Sequence, residues 1–269
     1  VKVIIVAFAE ELTLALNAKG ISGHIKRFCI RGYKNSKAIV SVSNFARNVL
    51  IEKLNVKSDI IVIPTPVHNS KFSYINIEEK KKSEIFKILS VGRLIKRKGF
   101  DYLLKAFKIV IDKGYNVELT IIGNGPENIL LEKFILNNSL QKFIKIYSNA
   151  SDNFLISQYK SNDLFVLSNL MLDNGDCEGA PNVLIEAAAF GMPSIAGEEG
   201  GTSDVVDHDH TGILLDPKDS NNFANTIIEL INDKPRLFQM GKQAYIKANT
   251  KHSKEEAGRN FSKVIKNLN

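Results

Sequence analysis

In EGAPNVLIEAAAFGMP the acids Glu178 and Glu186 are separated by seven residues, and about eighty residues earlier SVGRLIKRKG carries Arg93 and Lys98. Two acids and two cations suit a ligand that is anionic in its middle and rich in hydroxyls at its ends. Carboxylates accept hydrogen bonds from diols, while guanidinium and ammonium groups hold phosphate oxygens. Pro181 suits a first helical position, so Asn182 to Phe190 is predicted as a helix. Its free N–H groups and positive end face the loop that carries Glu178, where an anion is expected. Glu186 lies about one turn inside that helix, within reach of a vicinal diol such as ribose.

The elements that must position these residues form an α/β pattern. From Glu84 onward, IFKILSVG, VELTIIG, FIKIYS, DLFVLSN, PSIAG and GILLD are separated by stretches of helix length. That alternation predicts a doubly wound parallel sheet in the order 3-2-1-4-5-6, with a crevice where strand 1 meets strand 4. Arg93 follows strand 1 and the loop from Asn169 to Glu178 follows strand 4, so both groups fall at that crevice. Leu103, Leu104 and Phe107 recur at helical spacing and are expected to pack on the sheet. Upstream, SKAIVSVS and IIVIP predict two strands around a helix, and PTPVHNSKFSYINIEEKKKS predicts a linker. Downstream, helices are expected over 221–233, 235–248 and 253–268.

The segment EGAPNVLIEAAAFGMPSIAGEEGGTSDVV resembles the E-x7-E region of glycosyltransferase family 4, a retaining family with the GT-B fold. SVGRLIKRKGFDYLLKAF resembles its second hallmark, an Arg and a Lys five residues later. The likeness runs in order from about Ser36 to the C-terminus. It implies Arg93 and Lys98 on the donor diphosphate, Glu186 on the ribose and Glu178 on the hexose hydroxyls. It also implies a donor pocket lined by Gly92, Gly179, Ala180, Pro181, Asn182 and Val183, with Glu178, Arg93 and Lys98 serving catalysis. This sequence departs from the family pattern at Ser168 and Asn169, where Pro-Ser is usual, and at Asn149, where Gly is common; the donor base is left open. The family's whole N-terminal domain, with its Gly-rich loop and catalytic-site His, does not fit in the space available. The expected organisation is therefore a remnant of the N-terminal domain over 1–65, a linker over 66–83, a complete Rossmann-like donor domain over 84–250, and a helix over 251–269 that packs back toward the N-terminal part.

The formal charge of +7 is uneven. Residues 1–83 hold 14 Lys/Arg against 6 Asp/Glu, while the remainder holds 22 against 23. HIKRFCIRGYKNSK concentrates this excess, which suits either a solvated helix face or peripheral contact with an anionic membrane. No aromatic platform accompanies the charge, so nucleic acid is not expected. VKVIIVAF is too short for a membrane span. Two distant cysteines, Cys29 and Cys177, give no disulfide framework and point to a cytoplasmic protein, peripheral at the inner membrane face on the second reading of its charge. Cys177 is expected to be filler. Arg93 and Lys98, with Lys96 and Arg97 beside them, could be ordinary surface cations, but the position directly after strand 1 favours the anion role; GNGPEN is expected to be a strand-to-helix turn, and His208 and His210 in VDHDHTG a surface turn rather than a metal site. His24 has no assigned role.

The expected activity is metal-independent transfer of a sugar, with retention, from a UDP or GDP donor to a glycan or lipid-linked acceptor hydroxyl, as in polysaccharide biosynthesis. A chain that only binds nucleotide sugars is the alternative, and on its own this length is expected to bind donor but transfer little. An epimerase of the same fold would need an acid/base set of its own, which the sequence does not offer.

Overall fold

The computed structural model describes residues 4–18, 28, 30–67 and 84–268. His24, Cys29, the basic residues Lys26 and Arg27, and residues 68–83 of the expected linker lie outside the described residues. Two parallel sheets organise the rest.

The smaller sheet holds β1 (Ile4–Ala7), β2 (Ala38–Ser41) and β3 (Asp59–Val62) in the order β1-β2-β3. Helix α1 (Ala9–Asn17) follows β1, and neither element was singled out from the sequence. Helix α2 (Asn44–Asn48) starts at Ser43, whose hydroxyl accepts the Ala46 amide at 3.1 Å, and it runs on into a π-helical turn over Val49–Lys53. A serine oxygen at this position satisfies an amide that the helix itself leaves unpaired.

The larger sheet contains β4 (Phe86–Val91), β5 (Val117–Ile122), β6 (Ile144–Tyr147), β7 (Leu164–Leu167), β8 (Ser194–Gly197) and β9 (Gly212–Leu215). Its order, β6-β5-β4-β7-β8-β9, is the doubly wound order expected from the sequence, and every pairing is parallel. Every residue of β7 and β8 is buried, because helices cover both faces. One face packs under α3 (Phe100–Asp112), α4 (Asn128–Asn137) and α7 (Ser220–Asn232), where Leu103, Leu104 and Phe107 sit in the core as their spacing implied. Each such side chain contributes about 1.5–3 kcal/mol by leaving water. The other face packs under α5 (Asp152–Ser161), α6 (Asn182–Ala189) and α8 (Lys234–Lys251).

The final helix, α9 (Lys254–Leu268), places Ala257, Phe261 and Val264 against Ala38, Val40 and Ile63 of the smaller sheet. At the bend before it, the Val67 amide donates to the His252 carbonyl at 2.8 Å and the His252 ring meets the Thr65 carbonyl at 3.1 Å. The two sheets are thus tied at α9 and at this bend. Among the described residues no helix is long and apolar enough to cross a membrane.

Candidate functional site

The crevice between β4 and β7 is closed down by one glycine. After β4 the chain makes a 3-10 turn, Lys96–Lys98, and leaves it at Gly99 with φ 64°, a left-handed conformation. A Cβ on Gly99 would lie 1.9 Å from the Ser168 carbonyl oxygen, so only glycine lets this turn press on the end of β7. The Ser168 hydroxyl then donates to the Gly99 carbonyl at 2.5 Å. Lys98, held by the turn, runs past Gly92, where a Cβ would come within 3.4 Å of its Cε. The lysine is buried beside Gly92.

What it meets there is Glu178. Lys98 Nζ lies 3.1 Å from Glu178 Oε1, and Arg97 Nε donates to the same oxygen at 2.9 Å. Burial alone would push the Glu178 carboxyl up; the Lys98 charge and the Arg97 hydrogen bond outweigh it and hold the group below the usual carboxylate range. Glu178 is therefore ionised at neutral pH. Arg97 also donates through Nη1 to Asp176 at 2.6 Å and through Nη2 to Glu10 of α1 at 3.1 Å. Arg97, assigned no role from the sequence, is 6% exposed, and for a clear reason. Three carboxylates, one of them from the smaller sheet's unit, surround a guanidinium whose five N–H groups fan out in a plane.

Glu186 has a different environment. It lies half-buried on α6, and the hydroxyl of the fully buried Tyr159 donates to its Oε2 at 2.9 Å. Burial pushes the Glu186 carboxyl up, and the Tyr159 hydrogen bond and the Lys98 charge offset this only in part. Tyr159 itself is stacked against Phe190 and Phe165, at 5.3 and 6.1 Å between centroids. The sequence reading did not single it out; the signal that could have found it is that a buried tyrosine hydroxyl needs a partner. Pro181 takes the N-cap place of α6 rather than its first helical position, and the helix stops at Ala189, one residue short of Phe190. Such shifts of one residue leave the placement of Glu186 one turn inside unchanged.

Arg93 is exposed, and its guanidinium has no partner among the described residues. Of the two cations that the family likeness pairs, the structure thus offers one free and one already bound to Glu178. Gly179 and Ala180 continue the Glu178 loop into Pro181, Asn182 and Val183 at the start of α6. Gly179 abuts α1, where a Cβ would lie 2.7 Å from the Ala9 Cβ. A second bridge between the units joins Asp204 to the start of α2, taking Asn44 Nδ2 at 2.6 Å and the Phe45 amide at 2.9 Å.

The family departures fall in two kinds of place. Ser168 and Asn169 are buried, with Asn169 Nδ2 donating to Thr202 Oγ1 at 2.7 Å, whereas Asn149 is exposed. Cys177 is buried beside Thr13 of α1, and burial pushes its thiol up to about 11, which suits filler rather than a nucleophile. His208 and His210 lie in a turn where the His210 and Thr211 amides donate to the Asp207 carbonyl. Among the described residues no group of three potential ligands is placed to hold a metal ion.

Residues 74–247 match the family described as glycosyl transferases group 1. The chain belongs to the group 1 glycosyltransferases. Similar relatives include the capsular polysaccharide biosynthesis glycosyltransferase CapM of Staphylococcus aureus, 31% identical over 206 residues that cover 72% of this chain and 52% of CapM. The amylovoran biosynthesis glycosyltransferase AmsK of Erwinia amylovora is 25% identical over 234 residues, 83% of this chain and 58% of AmsK. This group 1 chain therefore spans between half and three fifths of the length of these relatives. In structure it is similar to a glycosyltransferase from Rickettsia africae ESF-5, with a TM-score of 0.77 at 20% identity over 90% of this chain and 67% of that one. It is also similar to HepE of Anabaena in complex with UDP and glucose, with a TM-score of 0.76 at 16% identity over 98% of this chain and 71% of HepE. At such identities the likeness establishes the fold alone, GT-B, with the larger sheet as a Rossmann-like unit of it.

Proposed function

We propose that this chain binds a nucleoside diphosphate sugar, of UDP or GDP type, and serves a retaining transfer of the sugar to an acceptor hydroxyl as a family 4 member. The observation that carries the reading is the contact of Lys98 with Glu178 at 3.1 Å, at the point where β4 and β7 diverge. Around it, Arg93 and Lys98 hold the diphosphate, Glu186 takes the ribose diol, and Glu178 takes hexose hydroxyls. The pocket is completed by Gly92 and by the run Gly179, Ala180, Pro181, Asn182 and Val183. Residues 84–250 act as the donor domain and 1–65 as part of the acceptor side, joined through 66–83 and braced by 251–269.

The chemistry follows from charge. As the bond to the anomeric carbon breaks, negative charge grows on the leaving diphosphate, and preorganised cations stabilise that state more than the ground state. Lys98 leaves Glu178 for the phosphate oxygens, and Glu178 turns to the sugar. Glycan or lipid-linked hydroxyls are the acceptor class, in keeping with relatives named for capsular polysaccharide and amylovoran synthesis. The basic excess of the first 83 residues suits peripheral contact with an anionic membrane.

Two cations and a helix N-terminus suffice for a diphosphate, so donor binding is metal-independent on this reading. Calorimetry with UDP, UDP-glucose, GDP and GDP-mannose tests it, with and without EDTA. One base series should bind equally well in both buffers. Affinity that vanishes on chelation would remove the metal-free claim, and no binding of any of the four would remove the reading itself.

A further inference from the structure

We infer that Arg97 is the positioning residue of the sugar subsite, and that through Glu10 it makes the orientation of Glu178 depend on the docking of α1. This rests on the reading above, in which Glu178 meets the sugar. Before donor arrives, Glu178 Oε1 is held twice, by Lys98 and by Arg97. When Lys98 moves to the diphosphate, one holder is lost. Arg97 remains, and its Nε is the contact that keeps the carboxylate ionised and aimed.

Arg97 cannot do this as a free side chain. Its Nη1 is fixed by Asp176 at 2.6 Å and its outer edge by Glu10, with Nη1 to Oε1 at 3.0 Å and Nη2 to Oε2 at 3.1 Å. Paired N–H groups on paired carboxylate oxygens fix direction as well as distance, which an ammonium cannot do. Glu10 belongs to the first turn of α1, and α1 presses on the same loop at two further places. Ala9 abuts Gly179, and Thr13 Oγ1 contacts Cys177 Sγ at 3.8 Å, one residue on each side of Glu178. The sugar acid is thus gripped from the smaller unit by backbone packing and from the larger unit by Arg97. Separation of the units releases Glu10 and leaves Arg97 to swing toward Asp176.

Coupling of this kind is reciprocal: if docked α1 favours sugar binding, bound sugar favours docked α1. Glu10→Gln is the main variant, since that side chain is nearly half exposed and the substitution removes only charge and geometry. Arg97→Lys is the second. The readout is the ratio of affinities for UDP-glucose and UDP, or GDP-mannose and GDP, whichever base binds. We expect the ratio to fall about threefold in Glu10→Gln and about tenfold in Arg97→Lys, with affinity for the free diphosphate within twofold of the parent. Hydrogen exchange across Ala9–Asn17 should be slowed by the nucleotide sugar beyond the effect of the diphosphate, and that difference should vanish in Glu10→Gln. If Glu178→Gln lowers the ratio while Glu10→Gln and Arg97→Lys leave it untouched, the positioning role is wrong and the sugar role of Glu178 stands. If Glu178→Gln also leaves it untouched, the sugar role fails and the positioning role with it. Should Arg97→Lys not fold, Glu10→Gln decides alone.

Discussion

The two acids of the E-x7-E pair live in opposite surroundings. Glu186 is served from within the larger unit by Tyr159 on α5, with its carboxyl pushed up by burial. Glu178 is served by Lys98 and Arg97, with Arg97 in turn held by α1 of the smaller unit, and its carboxyl is held down. One half of the site is self-contained; the other is shared between units. On the proposed function, a donor that binds nucleotide-first is captured by one unit, while recognition of its sugar requires both. The same contrast separates affinity from turnover, because only the shared half depends on the cleft being closed around the reacting carbon.

The shared half should fail first in acid, and this is the largest effect expected. His252 sits at the bend that ties the units, with Nδ1 donating to the Thr65 carbonyl, and its Nε2 is buried with no partner among the described residues. Burial first, then repulsion from Lys247 and Lys251, lowers its pKa to about 4 from the ordinary 6.5. A depressed histidine resists protonation when folded, so the unfolded chain takes up the proton first. Stability is then full above 6.5 and is lost as pH falls from 6.5 toward 4, by about 3 kcal/mol over that window at roughly 1.4 kcal/mol per unit. Glu178, with its lowered pKa, stays charged through most of it. Urea unfolding at pH 7.5 and 4.5 checks the loss, and His252→Asn, which keeps a donor for Thr65 without titrating, should flatten it. An equally steep loss in the variant would place the acid sensitivity elsewhere.

Next in size is the division of labour between the acids. Glu186→Ala should lower affinity for the nucleoside diphosphate by ten- to a hundredfold, since a hydrogen bond to a charged group is worth about 1.5–3 kcal/mol. Glu178→Ala should instead lower discrimination in favour of the sugar-bearing donor, with a smaller effect on the free diphosphate. Equal losses in calorimetry with both ligands would erase the contrast.

Local pattern made one half of the site readable and hid the other. Strand order, the α6 helix and the nomination of the β4–β7 crevice follow from short-range periodicity and from the rules of parallel sheets, so DLFVLSN and EGAPNVLIEAAA carry them in plain view. Glu186 inherits its place from that helix. The fate of Arg97 is not local: KRK looks like a solvated turn, and what buries it is Glu10, 87 residues upstream, brought over by α1. Nothing in VIIVAFAEEL announces that helix as a wall of the site. Tyr159 stands between these cases, since its burial follows from helical spacing but its partner, 27 residues on, follows only from packing. Lys98 was singled out by its spacing from Arg93, yet its engagement with Glu178 becomes visible only when Gly99 has folded the turn against Ser168.

The smallest effect expected comes from the self-contained half, and it tests that description most closely. Tyr159→Phe keeps the ring stacked between Phe165 and Phe190 and removes only the hydroxyl that donates to Glu186. This hydrogen bond aims Glu186 rather than touching the ligand, so only part of its worth of about 1.5–3 kcal/mol reaches binding, and nucleoside diphosphate affinity should drop roughly fivefold. The loss should also depend on pH in a definite direction. The Tyr159 hydroxyl is one of two groups that hold the raised Glu186 pKa down, so without it the carboxyl moves further up and is protonated at higher pH. A protonated Glu186 presents one acceptor oxygen fewer to the diol, and the gap between variant and parent should widen from pH 8 to pH 5.5. Calorimetry at the two pH values measures it. A loss as large as that of Glu186→Ala would mean that Tyr159 does more than serve the acid, and a loss equal at both pH values would mean that the hydroxyl acts on shape rather than charge.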